Sequence, residues 1–346
     1  HQLNIASRLA LETPKDSKQK NLQQNYNPSV LDHLVTNVSC ANEASINPAF
    51  KLAQNALDPW QQAPVEHRAQ CLDKLADLLE DHQDQLIALL MAEAGKTLAN
   101  AVGEIREAVD FARFYSQQAQ ALNSKATEFK GITGQTNLMR YHGRGIMVCI
   151  SPWNFPLAIF LGQLCAALVM GNAVMAKPAE QTPAIATFAV DLAHQAGIPK
   201  AILQCFLGDG ETIGANLVNH PLVAGVVFTG STQVAKIIQR QLAKKDGPIV
   251  PLIAETGGQN VMIVDSTALP EQVVQDVAFS AFDSAGQRCS ALRVLIVQED
   301  IAPELTTLLK GAMDTLVIGN PHQTNTEIGP VIDKEAYNHI QNYIQK

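Results

Sequence analysis

From residue 64 onward the apolar positions fall into regular periods. Leu72, Leu75, Leu79, Leu86 and Leu90 recur near helical spacing, the pattern of a helix that buries one face. Pro64 suits a first helical position, where its missing N–H would be unpaired anyway, and Gly95 suits the left-handed residue that closes a helix. A further helix is predicted over 98–122. The period then changes: 138–142 alternates and 146–150 is apolar throughout, on either side of Gly143-Arg144-Gly145, which predicts a hairpin over 138–150. After Ser151, strand-like runs at 173–177, 203–206, 224–228, 249–254, 261–264 and 293–297 are interleaved with helical ones at 157–170, 183–196, 233–242 and 270–284. Thr182 is the expected cap of the second of these helices and Gly197 its stop. This alternation predicts an α/β fold with one largely parallel sheet covered on both faces.

Residues 1–47 break the pattern. They are polar, rich in Gln and Asn over 15–27, and read as a linker or arm, with helical structure beginning at Pro48. The remainder of a 346-residue chain that is 47% hydrophobic can bury a sizeable core, enough for two domains. A net charge of −8 with 25 scattered Lys and Arg gives no basic footprint for nucleic acid. The six cysteines have no CxxC spacing, so neither a metal site nor a disulfide framework is expected, and a reducing, cytoplasmic compartment fits. The most apolar run, 157–170, is shorter than the ~18 residues of a membrane span and reads as a buried helix.

In such sheets ligands sit beyond the carboxyl ends of strands, which directs attention to five segments. Cys289 lies in the glycine-led turn Gly286-Gln287-Arg288-Cys289-Ser290-Ala291, where Arg288 would favour the reactive thiolate; the plainer reading is a small buried hydrophobe. Glu255 ends a strand before Gly257-Gly258 and is a candidate base for a covalent mechanism, or else a surface carboxylate. Asn154, in Ser151-Pro152-Trp153-Asn154-Phe155-Pro156, offers an amide donor for an oxyanion, or a cap for the next helix. Lys177 and Glu180 place a cation and an acid three apart, suited to gripping a ribose or to forming a solvated ion pair. Thr229-Gly230-Ser231-Thr232 opens a helix, so a phosphate can rest on its free amides, or Ser231 is an ordinary cap.

Taken in order, five motifs resemble the aldehyde dehydrogenase superfamily: Pro152-Trp153-Asn154-Phe155-Pro156, Lys177-Pro178-Ala179-Glu180-Gln181-Thr182-Pro183, Phe228-Thr229-Gly230-Ser231, Glu255-Thr256-Gly257-Gly258 and Gly286-Gln287-Arg288-Cys289. Within it, the Cys289 and Glu255 segments look most like the glutamate-semialdehyde (1-pyrroline-5-carboxylate) dehydrogenase module of bifunctional proline utilization A proteins. The resemblance implies a Rossmann-type doubly wound NAD-binding domain over 48–254 and the start of an α/β catalytic domain over 255–346. It implies Cys289 as nucleophile, Glu255 as deacylating base and Asn154 as oxyanion donor. Lys177, Glu180, Gly230, Ser231 and Trp153 would hold NAD; Phe155, Arg288 and Ser290 would line the aldehyde pocket. The 138–150 hairpin would belong partly to an oligomerisation element of a homo-oligomer, and a fused proline dehydrogenase domain is a possible partner.

The family pattern continues well beyond Ile328-Gly329-Pro330-Val331, so the catalytic domain is expected to be incomplete at its C-terminal end. Two alternatives follow: a dehydrogenase of another semialdehyde, or a nucleotide-binding piece without turnover.

Overall fold

The computed structural model describes residues 22–123 and 126–345; positions 1–21 of the expected arm lie outside the described residues. The rest of that stretch is ordered secondary structure, which corrects the linker expectation. Strands β1 (Leu22–Asn27) and β2 (Val30–Ser39) form an antiparallel hairpin, turned where Asn27 Oδ1 accepts the Ser29 N–H at 2.8 Å. Apolar alternation could not reveal it, because the buried side chains of β1 are Asn25 and Asn27.

Helix α1 (Glu43–Gln62) begins before Pro48 and contains it; Asn42 sets the start by accepting the Ser45 N–H at 2.9 Å. The leucine stripe is shared by α2 (Val65–Asp81), which Pro64 precedes, and α3 (Gln83–Ala94), separated at His82. Gly95, at φ 65°, closes α3 as the sequence suggested. Helix α4 (Leu98–Asn123) follows. Among the described residues no single helix is long and apolar enough to cross a membrane.

The 138–150 hairpin does not form. Strand β4 (Asn137–Met139) pairs instead with β3 (Thr127–Phe129), while β5 (Ile146–Ile150) lies between two parallel neighbours. Ile146 through Cys149 are all buried, and such a strand needs cover on both faces that the exposed β4 cannot give. Gly143-Arg144-Gly145 is a connector, its Arg144 and Gly145 N–H groups donating to Asn172 Oδ1 at 2.6 and 3.2 Å.

From β5 the chain runs through α5 (Ala158–Val169), β6 (Ala173–Lys177), α6 (Pro183–Gln195), β7 (Leu203–Cys205), α7 (Ala215–Asn219), β8 (Val223–Gly230), α8 (Thr232–Ala243) and β9 (Leu252–Thr256). These five strands form a parallel sheet in the order β7-β6-β5-β8-β9. Two crossovers wind outward through α5 and α6. The third returns through α7 to the other side of β5, which makes the β5/β8 junction a topological switch point. The expected single series ends at β9. Strands β10 (Asn260–Val264) and β11 (Leu292–Val297) form their own parallel pair. They pack with α9 (Pro270–Phe282) and α10 (Ala302–Thr315) around a small core of Val264, Val273, Val274, Val277, Leu292 and Leu305. Helix α11 (Lys334–Ile344) ends the described chain.

Two buried carboxylates set the helix starts nearest the sheet. Glu93 accepts the Ala184 and Ile185 N–H groups at 2.8 and 2.9 Å, and Glu104 accepts those of Leu157 and Ala158 at 2.8 and 3.3 Å. A helix N-terminus exposes unpaired N–H donors, which these carboxyl oxygens accept. Thr182, expected to cap α6, makes no side-chain cap bond; Glu93 has taken that place.

Candidate active site

The carboxyl ends of β5 and β8 are tied together by one buried side chain. Gln163 Nε2 donates to the Ile150 carbonyl at 3.2 Å and to Thr229 Oγ1 at 2.9 Å, and its Oε1 accepts from Ser151 Oγ at 3.3 Å. The sequence signal was a polar residue within the apolar 157–170 run, and sequence reasoning missed it.

Cys289 follows α9 on a turn with three successive left-handed residues: Ser284 (φ 56°), Ala285 (φ 55°) and Gly286 (φ 67°). For the two non-glycines this costs about 1–2 kcal/mol each, so the turn must be held from outside, and it is. Asp283 Oδ1 accepts from the Ser284 N–H at 2.9 Å and from Asn100 Nδ2 at 2.7 Å. Arg293 Nη2 donates to the Gly286 carbonyl at 2.9 Å, Asn154 Nδ2 to that of Gln287 at 2.8 Å, and Asn260 Nδ2 to those of Cys289 and Ala291 at 2.7 and 2.9 Å. Gln287 reaches the other way, its Nε2 donating to the Pro330 carbonyl at 3.2 Å and its Oε1 accepting the Ile332 N–H at 2.9 Å. Asn100, Asp283 and Arg293 carried no signal as site residues in the sequence, since each acts through a partner distant in the chain.

Of the six cysteines, Cys289 is the exposed one. It opens into a cleft of about 910 Å³ lined by Lys96, Asn100, Phe155, Arg288 and Ser290 among others. Phe155, Arg288 and Ser290 line the same cleft as the thiol. Lys96 was not anticipated. Its ammonium pairs with Glu104 at 2.7 Å and sits 4.6 Å from the Phe155 ring centre. The role foreseen for Arg288 needs correction. Its guanidinium is spent on an ion pair with Asp283 at 2.5 Å and on a bond to Asn100 Oδ1, and it lies over the Phe279 ring. A half-desolvated cation requires an anion of its own, so Arg288 braces the turn rather than standing as a free charge beside the thiol.

Asn154 does not cap α5. A carbonyl can only accept, so its bond to Gln287 fixes the amide nitrogen toward the Cys289 turn and leaves a second N–H for another acceptor. Trp153 is half-buried in the same loop. Glu255 is exposed near the end of β9, paired in register with Thr229 of β8, and is not among the residues lining the Cys289 cleft.

The remaining candidates lie at the carboxyl edge of the five-stranded sheet. Lys177, buried at the end of β6, pairs with the half-exposed Glu180 at 2.9 Å. Gly230 ends β8, where a Cβ would come within 2.6 Å of the Phe228 ring. Ser231 caps α8 by accepting the Val234 N–H at 3.2 Å, which leaves the first helical N–H groups free. Beyond β7 is a recess of about 430 Å³ lined by Cys40, Ala41, Asn42, Gly208, Asp209 and Thr212 among others. Lys177 acts electrostatically on both Cys40 and Asp209. The Gly208-Asp209-Gly210 stretch was missed in the sequence; its signal was a pair of glycines directly after a strand.

A model of the aldehyde dehydrogenase family matches residues 15–346. The chain is 48% identical over 327 residues to the bifunctional protein PutA of Klebsiella aerogenes, covering 94% of this chain and 24% of that protein. It is 35% identical over 322 residues to the 1-pyrroline-5-carboxylate dehydrogenase of Bacillus subtilis, covering 92% and 62% respectively. Among solved structures, a 1-pyrroline-5-carboxylate dehydrogenase from Thermus with bound NAD superposes with a TM-score of 0.92 at 31% identity, over 94% of this chain and 64% of the other. The chain thus spans about a quarter of the PutA relative and under two thirds of the shorter dehydrogenases.

Proposed function

The chain belongs to the aldehyde dehydrogenase family, and from that premise we propose that it carries the nucleophile and cofactor side of an NAD-dependent dehydrogenase. Its substrate in this reading is L-glutamate 5-semialdehyde, the open form of 1-pyrroline-5-carboxylate, oxidised to glutamate in proline catabolism. The observation that carries the reading is Cys289 exposed in a cleft on a turn braced from four separate segments. Support for the substrate comes from relatives named for that activity.

The residues present fit a dinucleotide. The Lys177–Glu180 pair offers a donor and an acceptor to ribose hydroxyls, and the open start of α8 offers amides to a pyrophosphate. In this reading Gly230, next to Ser231, and Trp153 also contact the cofactor. When bound, the nicotinamide accepts a hydride. The chain's own residues do the rest. Cys289 Sγ bonds to the aldehyde carbon to give a thiohemiacetal, and the Cys289 N–H and the second Asn154 N–H stabilise the oxyanion that forms. After hydride loss the adduct is a thioester. Glu255 takes a proton from the water that hydrolyses it, returning the Cys289 thiol. Phe155 and Ser290 wall the aldehyde.

A proline dehydrogenase in the same polypeptide, supported by the bifunctional relatives, and a cytoplasmic location, in keeping with six free cysteines, complete the reading together with a homo-oligomeric state. The test is NADH production with glutamate semialdehyde by the full protein and by its Cys289→Ala variant. Turnover that survives the substitution would sink the proposal.

A further inference from the structure

Two side-chain amides of β1 converge on one distant backbone oxygen. Asn25 Nδ2 donates to the Glu180 carbonyl at 2.8 Å, and Gln23 Nε2 donates to the same oxygen. A carbonyl has two lone pairs, so two donors fill it and fix the plane of that peptide. Gln23 is itself held: its Nε2 also reaches Asn25 Oδ1 at 3.1 Å, and its Oε1 accepts from the Cys40 thiol at 3.5 Å. Polar side chains turned inward are costly unless they find partners, and the partner both amides find is Glu180. The hairpin turn is seated where Pro28 packs against Gly95, a position at which a Cβ would come within 3.0 Å of the proline ring. Further along the same segment, Gln181 Nε2 donates to Asp333 Oδ2 at 3.3 Å, and Glu93 accepts the N–H groups of Ala184 and Ile185. Residues 180–185 are therefore gripped at both ends, and the side-chain bonds to the Glu180 carbonyl both come from β1.

We propose that β1 is a clamp for cofactor discrimination, in which Gln23 and Asn25 act as positioning residues for the Glu180 carboxylate. The inference rests on the reading of Lys177 and Glu180 as the ribose grip. The Glu180 side chain is 43% exposed while the Lys177 side chain paired with it is 4% exposed. One end of the pair is thus fixed by burial, and the other is fixed through its backbone. With the peptide held, the carboxylate stays where it meets the two ribose hydroxyls of NAD and repels the 2′-phosphate of NADP. With the peptide released, fewer molecules hold that geometry at any instant. Affinity for NAD falls in proportion, and the repulsion of NADP relaxes.

The experiment is calorimetric titration of NAD and of NADP into the protein and into three variants. Gln23→Met/Asn25→Leu keeps volume and removes both donors; Leu31→Ala alters the exposed far strand of the same hairpin; Glu180→Gln removes the charge. The expected result is an NAD dissociation constant about fivefold weaker in the double variant. NADP binding should hold or tighten slightly as the repulsion relaxes, so the preference narrows, and Leu31→Ala should match the unmodified protein. Hydrogen exchange without cofactor should also quicken at amides 180–182 in the double variant. General destabilisation would weaken both cofactors alike and leave their ratio unmoved. An unmoved ratio in the double variant, with Glu180→Gln narrowing it, would overturn the clamp while sparing the ribose grip. An unmoved ratio in Glu180→Gln would overturn both.

Discussion

Cysteine surroundings divide six chemically identical side chains into two kinds. Burial pushes the Cys149, Cys165 and Cys205 thiols up to about 12 and raises those of Cys71 and Cys40 as well, so at neutral pH almost none is thiolate. Cys289 is exposed in its cleft. Limiting iodoacetamide at neutral pH should therefore label Cys289 before any other cysteine, read by peptide mass mapping. A faster reaction at Cys71 or Cys205 in folded protein would count against a reactive Cys289. Glu255 makes a separate claim. If it is the deacylating base, Glu255→Gln in the complete enzyme leaves a single burst of NADH per active site and an accumulated thioester. An unchanged steady rate would remove it from the mechanism.

Elements are held to one another here through their ends. Gly286 shows this in the turn after α9: it has φ 67°, and a Cβ would meet the Ala281 carbonyl oxygen at 2.9 Å. Gly286→Ala should cost about 1–2 kcal/mol and slow the labelling of Cys289, because the turn that presents it must shift. Urea unfolding and labelling rates together check this. Glu93, which caps α6, is fully buried, and burial raises its carboxyl to about 8 against the opposing pull of the Ile185 and Ala184 N–H groups. The folded state then binds a proton that the unfolded state has lost between about pH 4.5 and 8. The contribution of Glu93 to stability is present in full below the lower value and declines as pH rises through that window. Stability measured by urea at steps from pH 5 to 8 should show this decline in the unmodified protein, and Glu93→Gln should flatten it. An identical slope in both proteins would mean that Glu93 ionises normally.

At the scale of the whole molecule, the inner strands β5 and β6 of the five-stranded sheet are buried, whereas one face of the β10–β11 pair is open. Val261, Ile263, Val294 and Ile296 point away from α9 and α10, and Ile263 is 76% exposed. A contiguous apolar face of this kind binds hydrophobic dyes and promotes association. The 346-residue chain should therefore enhance the fluorescence of anilinonaphthalene sulfonate, and Ile263→Lys/Ile296→Lys should reduce that signal without lowering the unfolding temperature. Equal dye binding by both proteins would place the exposed apolar surface elsewhere.

What the sequence determined by itself was local. The helix and strand periods of 157–254, the Gly95 stop and the order of the five motifs are written in neighbouring residues, and β6, α6 and β8 lie within a residue or two of where those periods put them. Tertiary structure decided the pairings. Strand β5 took β6 and β8 as partners instead of the nearby 138–142, since a strand buried on both faces must enter the sheet centre. The segment over 22–39 is a hairpin, and the amides of its first strand bond the distant Glu180 carbonyl. Arg288 lost its free charge to Asp283, and Glu93 displaced Thr182 as a cap, because a buried polar group must be satisfied by whatever partner the fold brings within reach, however far away it lies in the chain.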